Sequence, residues 1–159
     1  MNLLEYKTFK NDIDKYLKES MDTFKLRLNL DLNNVENESA DYYLFYENEY
    51  CIISLNLIDS FPYQDVTPKF YLKNSHRHLE IDQIYLRPFL GIDEKEFEAY
   101  CLKNYNNRYH YSDDFKDNDK GDIYYGLYSI NKILLKYYSP LFRGKYSMED
   151  YRKFCTKSI

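Results

Sequence analysis

Hydrophobic and polar positions change period abruptly near the start of the chain. Phe9, Ile13, Tyr16, Leu17 and Met21 recur at three- to four-residue spacing, which predicts an amphipathic helix over about residues 3–20. Phe24, Leu26, Leu28, Leu30 and Leu32 then alternate with Lys25, Arg27, Asn29 and Asp31, the pattern of a half-buried strand. After a polar turn to Ser39, strands are expected over 41–46 and 50–58, joined at Glu47, Asn48 and Glu49. In the second of these, Cys51, Ile53, Leu55 and Leu57 share one face. Pro62 and Pro68 mark residues 61–68 as a loop, because each proline biases its predecessor towards extended geometry.

Residues 69–73 and 79–86 read as two further strands, closed off by Arg87, Pro88 and Gly91. Asp93 followed by Glu96 predicts a helix start, and Phe97, Tyr100, Cys101 and Tyr105 form that helix's apolar stripe. A polar loop over 106–121 leads to a helix over 122–138, with Ile123, Leu127, Ile130, Leu134 and Tyr137 in register and Ser139-Pro140 as its stop. Ser147 with Asp150 opens a last short helix carrying Tyr151, Phe154 and Cys155. Short turns make neighbouring strands antiparallel. Strands grouped ahead of helices indicate an α+β fold: an N-terminal helix, an antiparallel sheet of four to five strands, then three helices packed on one face. A length of 159 residues fits a single domain over 1–159.

Composition adds a surface character to this frame. Tyrosine supplies 20 residues and phenylalanine 10, with no tryptophan. Tyrosine joins an apolar ring to a hydroxyl that needs a partner, so it suits core edges and contact surfaces. Tyr42, Tyr43, Tyr46 and Tyr50 fall on both faces of the predicted hairpin, so one set must face away from the core. The net charge of −4 is uneven: residues 31–122 hold 19 acids against 9 Lys and Arg, whereas 123–159 hold 2 acids against 7 bases. The middle of the chain attracts a basic partner and repels a polyanion, which weighs against nucleic acid.

Several function classes find no support. Four glycines provide no phosphate-cradling loop, and no serine nucleophile motif is present. No apolar run approaches the roughly 20 residues that span a bilayer, and the first residues lack signal-peptide character. Cys51, Cys101 and Cys155 are odd in number and widely spaced, which suits free thiols in a reducing cytoplasm. The expectation is a cytoplasmic protein with no cofactor and no membrane partner.

Two candidate sites remain. Asp113, Asp114, Asp117, Asp119 and Asp122 crowd one loop beside Tyr109 and Tyr111. Their spacing fails the calcium-loop pattern, since ligand positions would fall on Lys116, Asn118 and Lys120. An anionic, aromatic docking surface is the functional reading; a solvated loop whose last aspartate caps a helix is the plain one. His76 and His78 alternate along a predicted strand and with Asp82 could form a two-histidine, one-carboxylate metal site, the basis for an alternative reading as a metal-dependent hydrolase.

In size, acidity and aromatic richness, and in the segment 113–122 with Tyr109 and Tyr111, the chain resembles the small immunity proteins of bacterial toxin–immunity systems. That resemblance implies a non-catalytic inhibitor binding a cognate toxin domain, often a basic nuclease, through Tyr109, Tyr111, Asp113, Asp114, Asp117 and Asp119. A phage inhibitor of a host defence protein shares the same character.

Overall fold

The computed structural model of the protein describes residues 3–30, 32, 42–60, 63–105 and 121–157. The first amphipathic segment is helical in two pieces, α1 (Leu3–Tyr16) and α2 (Lys18–Phe24). They meet at Leu17, which is fully buried and whose amide still donates to the Ile13 carbonyl. Lys25 ends α2 in the left-handed conformation, φ 54°, with its N–H on the Met21 carbonyl.

This ending overturns the first expected strand. Of the alternating run over 24–32, only β1 (Arg27–Leu28) is a strand, and Asp31 lies outside the described residues. Phe24 is buried as the last residue of α2, its ring stacked on Phe142 at 4.7 Å, while Leu30 is 78% exposed. Alternation reports which residues seek burial; here a helix end meets that demand before a partner strand can.

The sheet continues with β2 (Tyr42–Glu47), β3 (Cys51–Ser60), β4 (Tyr63–Lys73) and β5 (His78–Glu80), in the order β1-β2-β3-β4-β5. Every neighbouring pair is antiparallel, as expected for an α+β fold with consecutive strands. The loop expected over 61–68 is replaced from Tyr63 onward by strand; Phe61 and Pro62 lie outside the described residues. Pro68 sits within β4 opposite Leu55. A proline is tolerated there because β5 pairs only with Tyr71, Leu72 and Lys73, leaving the Pro68 stretch at an edge. Phe70 directs its carbonyl to the Ile81 amide on that outer side, so by alternation Pro68 also faces off the sheet and removes no ladder bond. Gln83 covers the edge, its Nε2 donating to the Pro68 carbonyl at 2.9 Å.

The strand expected over 79–86 is a second correction. It stops at Glu80 because Asp82 caps α3 (Gln83–Phe89), accepting from the Ile84 amide at 2.9 Å. Gly91, at φ 70°, reverses the chain after α3, where its amide and that of Ile92 return to the Pro88 and Arg87 carbonyls. Then α4 (Glu94–Tyr105) starts at Asp93, which accepts from the Glu96 amide at 2.8 Å. After α5 (Gly121–Tyr137) the chain does not simply stop but turns into α6 (Ser139–Phe142), with Pro140 in its first turn. In α7 (Met148–Lys157) the expected start is fully formed: Ser147 donates to Asp150 at 2.8 Å and Asp150 donates back to Ser147 Oγ at 3.1 Å.

Five helical elements therefore follow the sheet among the described residues, where three were expected. Leu44, Ile53, Leu55, Phe70 and Leu72 of the sheet share one buried cluster with Ile13, Leu17, Leu127, Leu134, Leu141 and Phe142 of the helices.

Candidate functional site

Strand alternation gives the sheet a second face opposite this core. Register places Tyr43, Asn56 and Thr67 in one row across it, Phe45, Ser54 and Lys69 in the next, and Glu47, Ile52, Tyr71 and Glu80 in a third. Ile52 is buried to 3% exposure yet stands outside the main core cluster, so this face has apolar packing of its own.

Rings cross the face obliquely. Tyr43 stacks with Phe45 at 6.3 Å, Phe45 meets Tyr71 at 6.4 Å, and Tyr71 meets the His78 imidazole edge-on at 5.8 Å. The row runs from β2 to β5, and β3 passes between Phe45 and Tyr71. Tyr46, one residue from Phe45, points the other way and is buried in the core. Tyr43 and Tyr50 are the exposed members of the hairpin's tyrosines among the described side chains.

Ion pairs flank the rings. Lys73 donates to Glu47 at 2.7 Å with both side chains mostly covered, and Lys69 lies 3.7 Å from Glu80. Burial raises the Glu47 pKa, but hydrogen bonds from Lys73 and Asn29 and the charges of Lys73 and Arg27 outweigh it and hold the carboxyl below the usual range. At the centre, Ser54 Oγ and Asn56 Oδ1 are buried without a hydrogen-bond partner among the described residues.

His76 and His78 belong to one end of this face. There a shallow basin of about 220 Å3 is lined by both histidines, Arg77, Lys73, Glu47 and Ile52, among others. His76 lies in the β4–β5 turn, where Asn74 Oδ1 accepts from the amides of His76 and Arg77 at 3.0 and 2.8 Å. Asp82 is not part of that basin. Its carboxylate caps α3 and its amide donates to the Tyr151 hydroxyl at 2.9 Å. The strand's alternation ends at Glu80, so the face shared by His78 and Glu80 does not extend to Asp82. Among the described residues no group of three or more His, Cys, Asp and Glu side chains could hold a metal ion.

Tyr109, Tyr111, Asp113, Asp114, Asp117 and Asp119 lie outside the described residues, and of Asp122 only its place in α5 is described. Cys51 and Cys101 are buried, Cys155 is half-buried, and all three are free thiols. Burial pushes the Cys51 thiol far above its ordinary value, which suits packing and opposes nucleophilic chemistry.

Sequence reasoning foresaw that some hairpin tyrosines must face outward. It missed Phe45, Tyr71 and the pairing of Glu47 with Lys73. The period-2 signal was present, but combining residues of three strands required the register. No helix among the described residues is long and apolar enough to cross a membrane. No family model, curated protein or solved structure matches the chain.

Proposed function

We propose that this chain is a non-catalytic protein-binding inhibitor, an immunity protein that neutralises a cognate basic toxin domain or, equally in kind, a phage inhibitor of a host defence protein. The observation that carries the reading is the ring row of Tyr43, Phe45, Tyr71 and His78 on the sheet face opposite the core. Aromatic side chains set among ion pairs supply the anchors of protein interfaces. The excess of 19 acids over 9 bases across residues 31–122 supports a cationic partner, steering its approach before the rings dock. A cytoplasmic location, where a resident toxin must be silenced, is part of the same proposal.

Affinity purification of the tagged chain from its native cell tests the proposal. The expected result is one basic protein retained in stoichiometric amount, whose toxic or defensive activity falls in the complex. Paired substitutions Phe45→Ala and Tyr71→Ala should release that protein while the chain stays folded. A partner held equally by the substituted chain, or retained without loss of its own activity, overturns the reading.

A further inference from the structure

On the core side of the sheet, a cleft of about 230 Å3 opens between β4, α3 and α5. Its walls are apolar, with Val66 and Phe70 from β4, Leu86 from α3, and Ile130 and Ile133 from α5. Thr67, Gln83, Arg87 and Tyr138 are the polar residues of its lining. Arg87 is already committed: its Nε donates to both carboxylate oxygens of Glu94 at 2.8 and 2.9 Å, and its guanidinium lies 4.7 Å from the Phe97 ring centre. Its charge is thereby cancelled locally.

The guanidinium also acts on the Tyr138 hydroxyl. Arginine can only donate, so the phenol oxygen is the accepting side and the phenol proton remains for another acceptor. Burial pushes the Tyr138 pKa up and Arg87 only partly offsets this, so the proton is retained at ordinary pH. The ring itself is fixed edge-on against Phe70 at 5.1 Å. A fixed donor at the wall of an apolar cleft is the usual means of orienting a small ligand.

We propose that this cleft binds a small apolar molecule presenting one neutral carbonyl oxygen, a ketone, ester or amide, with that oxygen on the Tyr138 hydroxyl and its hydrocarbon against Leu86, Ile130 and Ile133. Neutrality follows from Glu94. With Arg87 compensated, a carboxylate ligand would bring an unmatched charge against apolar walls. Small size follows from volume, which falls short of the roughly 300–1,000 Å3 of sites for drug-sized ligands. The cleft reaches round the β4 edge to Thr67, but none of the rings of Tyr43, Phe45, Tyr71 and His78 lines it, so the two proposals stand independently.

Titration of the methyl-labelled chain by NMR with acetophenone, ethylbenzene and benzoate tests the proposal. Acetophenone should shift the methyl signals of Leu86, Ile130 and Ile133 and bind about tenfold more tightly than the other two, as one hydrogen bond of ordinary net strength implies. Tyr138→Phe keeps the ring and should bring acetophenone down to the level of ethylbenzene, which is itself unaffected. Wall methyl signals unmoved by all three compounds, benzoate or ethylbenzene matching acetophenone, or an unchanged ranking in Tyr138→Phe each overturn it. The ranking on the unaltered chain decides even where the variant does not fold.

Discussion

Ser20 and Asn131, 111 residues apart in sequence, are joined inside the core: the Ser20 amide lies 3.1 Å and its hydroxyl 2.7 Å from Asn131 Oδ1. Ser20 is fully buried and Asn131 is 5% exposed, so water cannot substitute for either partner. The pair ties α2 to the middle of α5. Asn131→Ala removes the acceptor of the Ser20 amide and leaves the hydroxyl only the backbone carbonyl of residue 131, at 3.2 Å, so it should cost about 2 kcal/mol, whereas Ser20→Ala should cost about 1 kcal/mol. Urea unfolding of both variants and of the double variant checks this; strictly additive effects would show that the pair is not coupled.

Asn48 does more with one side chain. Its Nδ2 donates to the carbonyls of Phe24 at 3.0 Å and Phe142 at 2.7 Å, while Oδ1 accepts from the amides of Tyr50 at 2.9 Å and Cys51 at 3.0 Å. The β2–β3 turn is thereby fastened to the ends of α2 and α6. Asn48→Asp keeps the two accepting bonds but sets a carboxylate against two carbonyls. It should destabilise by about 3 kcal/mol or more. A denaturant midpoint near that of the unaltered chain would refute this account.

Ser54 predicts the opposite sign. Its hydroxyl is fully buried on the outward face with no partner among the described residues, so it contributes an unmet polar group. Ser54→Ala should be neutral or stabilise by up to about 1 kcal/mol. Thermal unfolding reads the change, and a clear loss of stability would mean that the hydroxyl is satisfied in solution.

Glu47 gives a pH signature. Its pKa in the folded chain lies below the ordinary glutamate value, so its contribution is present above that value and fades as pH falls through the folded one. Glu47→Gln should therefore flatten the acid limb of the stability profile, with the two chains converging under acid conditions. Parallel curves of urea midpoint against pH would rule the contribution out.

The acidic segment is tested through association. Changing Asp113, Asp114, Asp117 and Asp119 together to Asn should slow capture of the purified partner and flatten its dependence on salt. Stopped-flow association at two ionic strengths measures both. Unchanged rates would remove this segment from the docking surface.

Local chemistry was legible wherever it needed only neighbours in sequence. The Ser147–Asp150 reciprocal cap, the Asp93 cap and the stripe of Leu127, Ile130 and Leu134 all form as their spacing suggests. Misreadings arose where a residue's meaning depends on what lies beside it. Phe24 and Leu26 alternate like a strand but are buried around a helix end. Pro68 reads as a loop residue but is harmless within β4 because its nitrogen faces an edge.

Sequence by itself determined the α+β class, the antiparallel order of strands and the inward set of β3, since period and turn length act over a few residues. Tertiary structure decided the rest: the Ser20–Asn131 and Asn48 ties, the strand edge where Pro68 fits, and the meeting of Phe45, Tyr71 and His78 on one face. Those depend on strand register and helix docking, which are fixed by burying the whole apolar set at once, and no short stretch of chain carries that information.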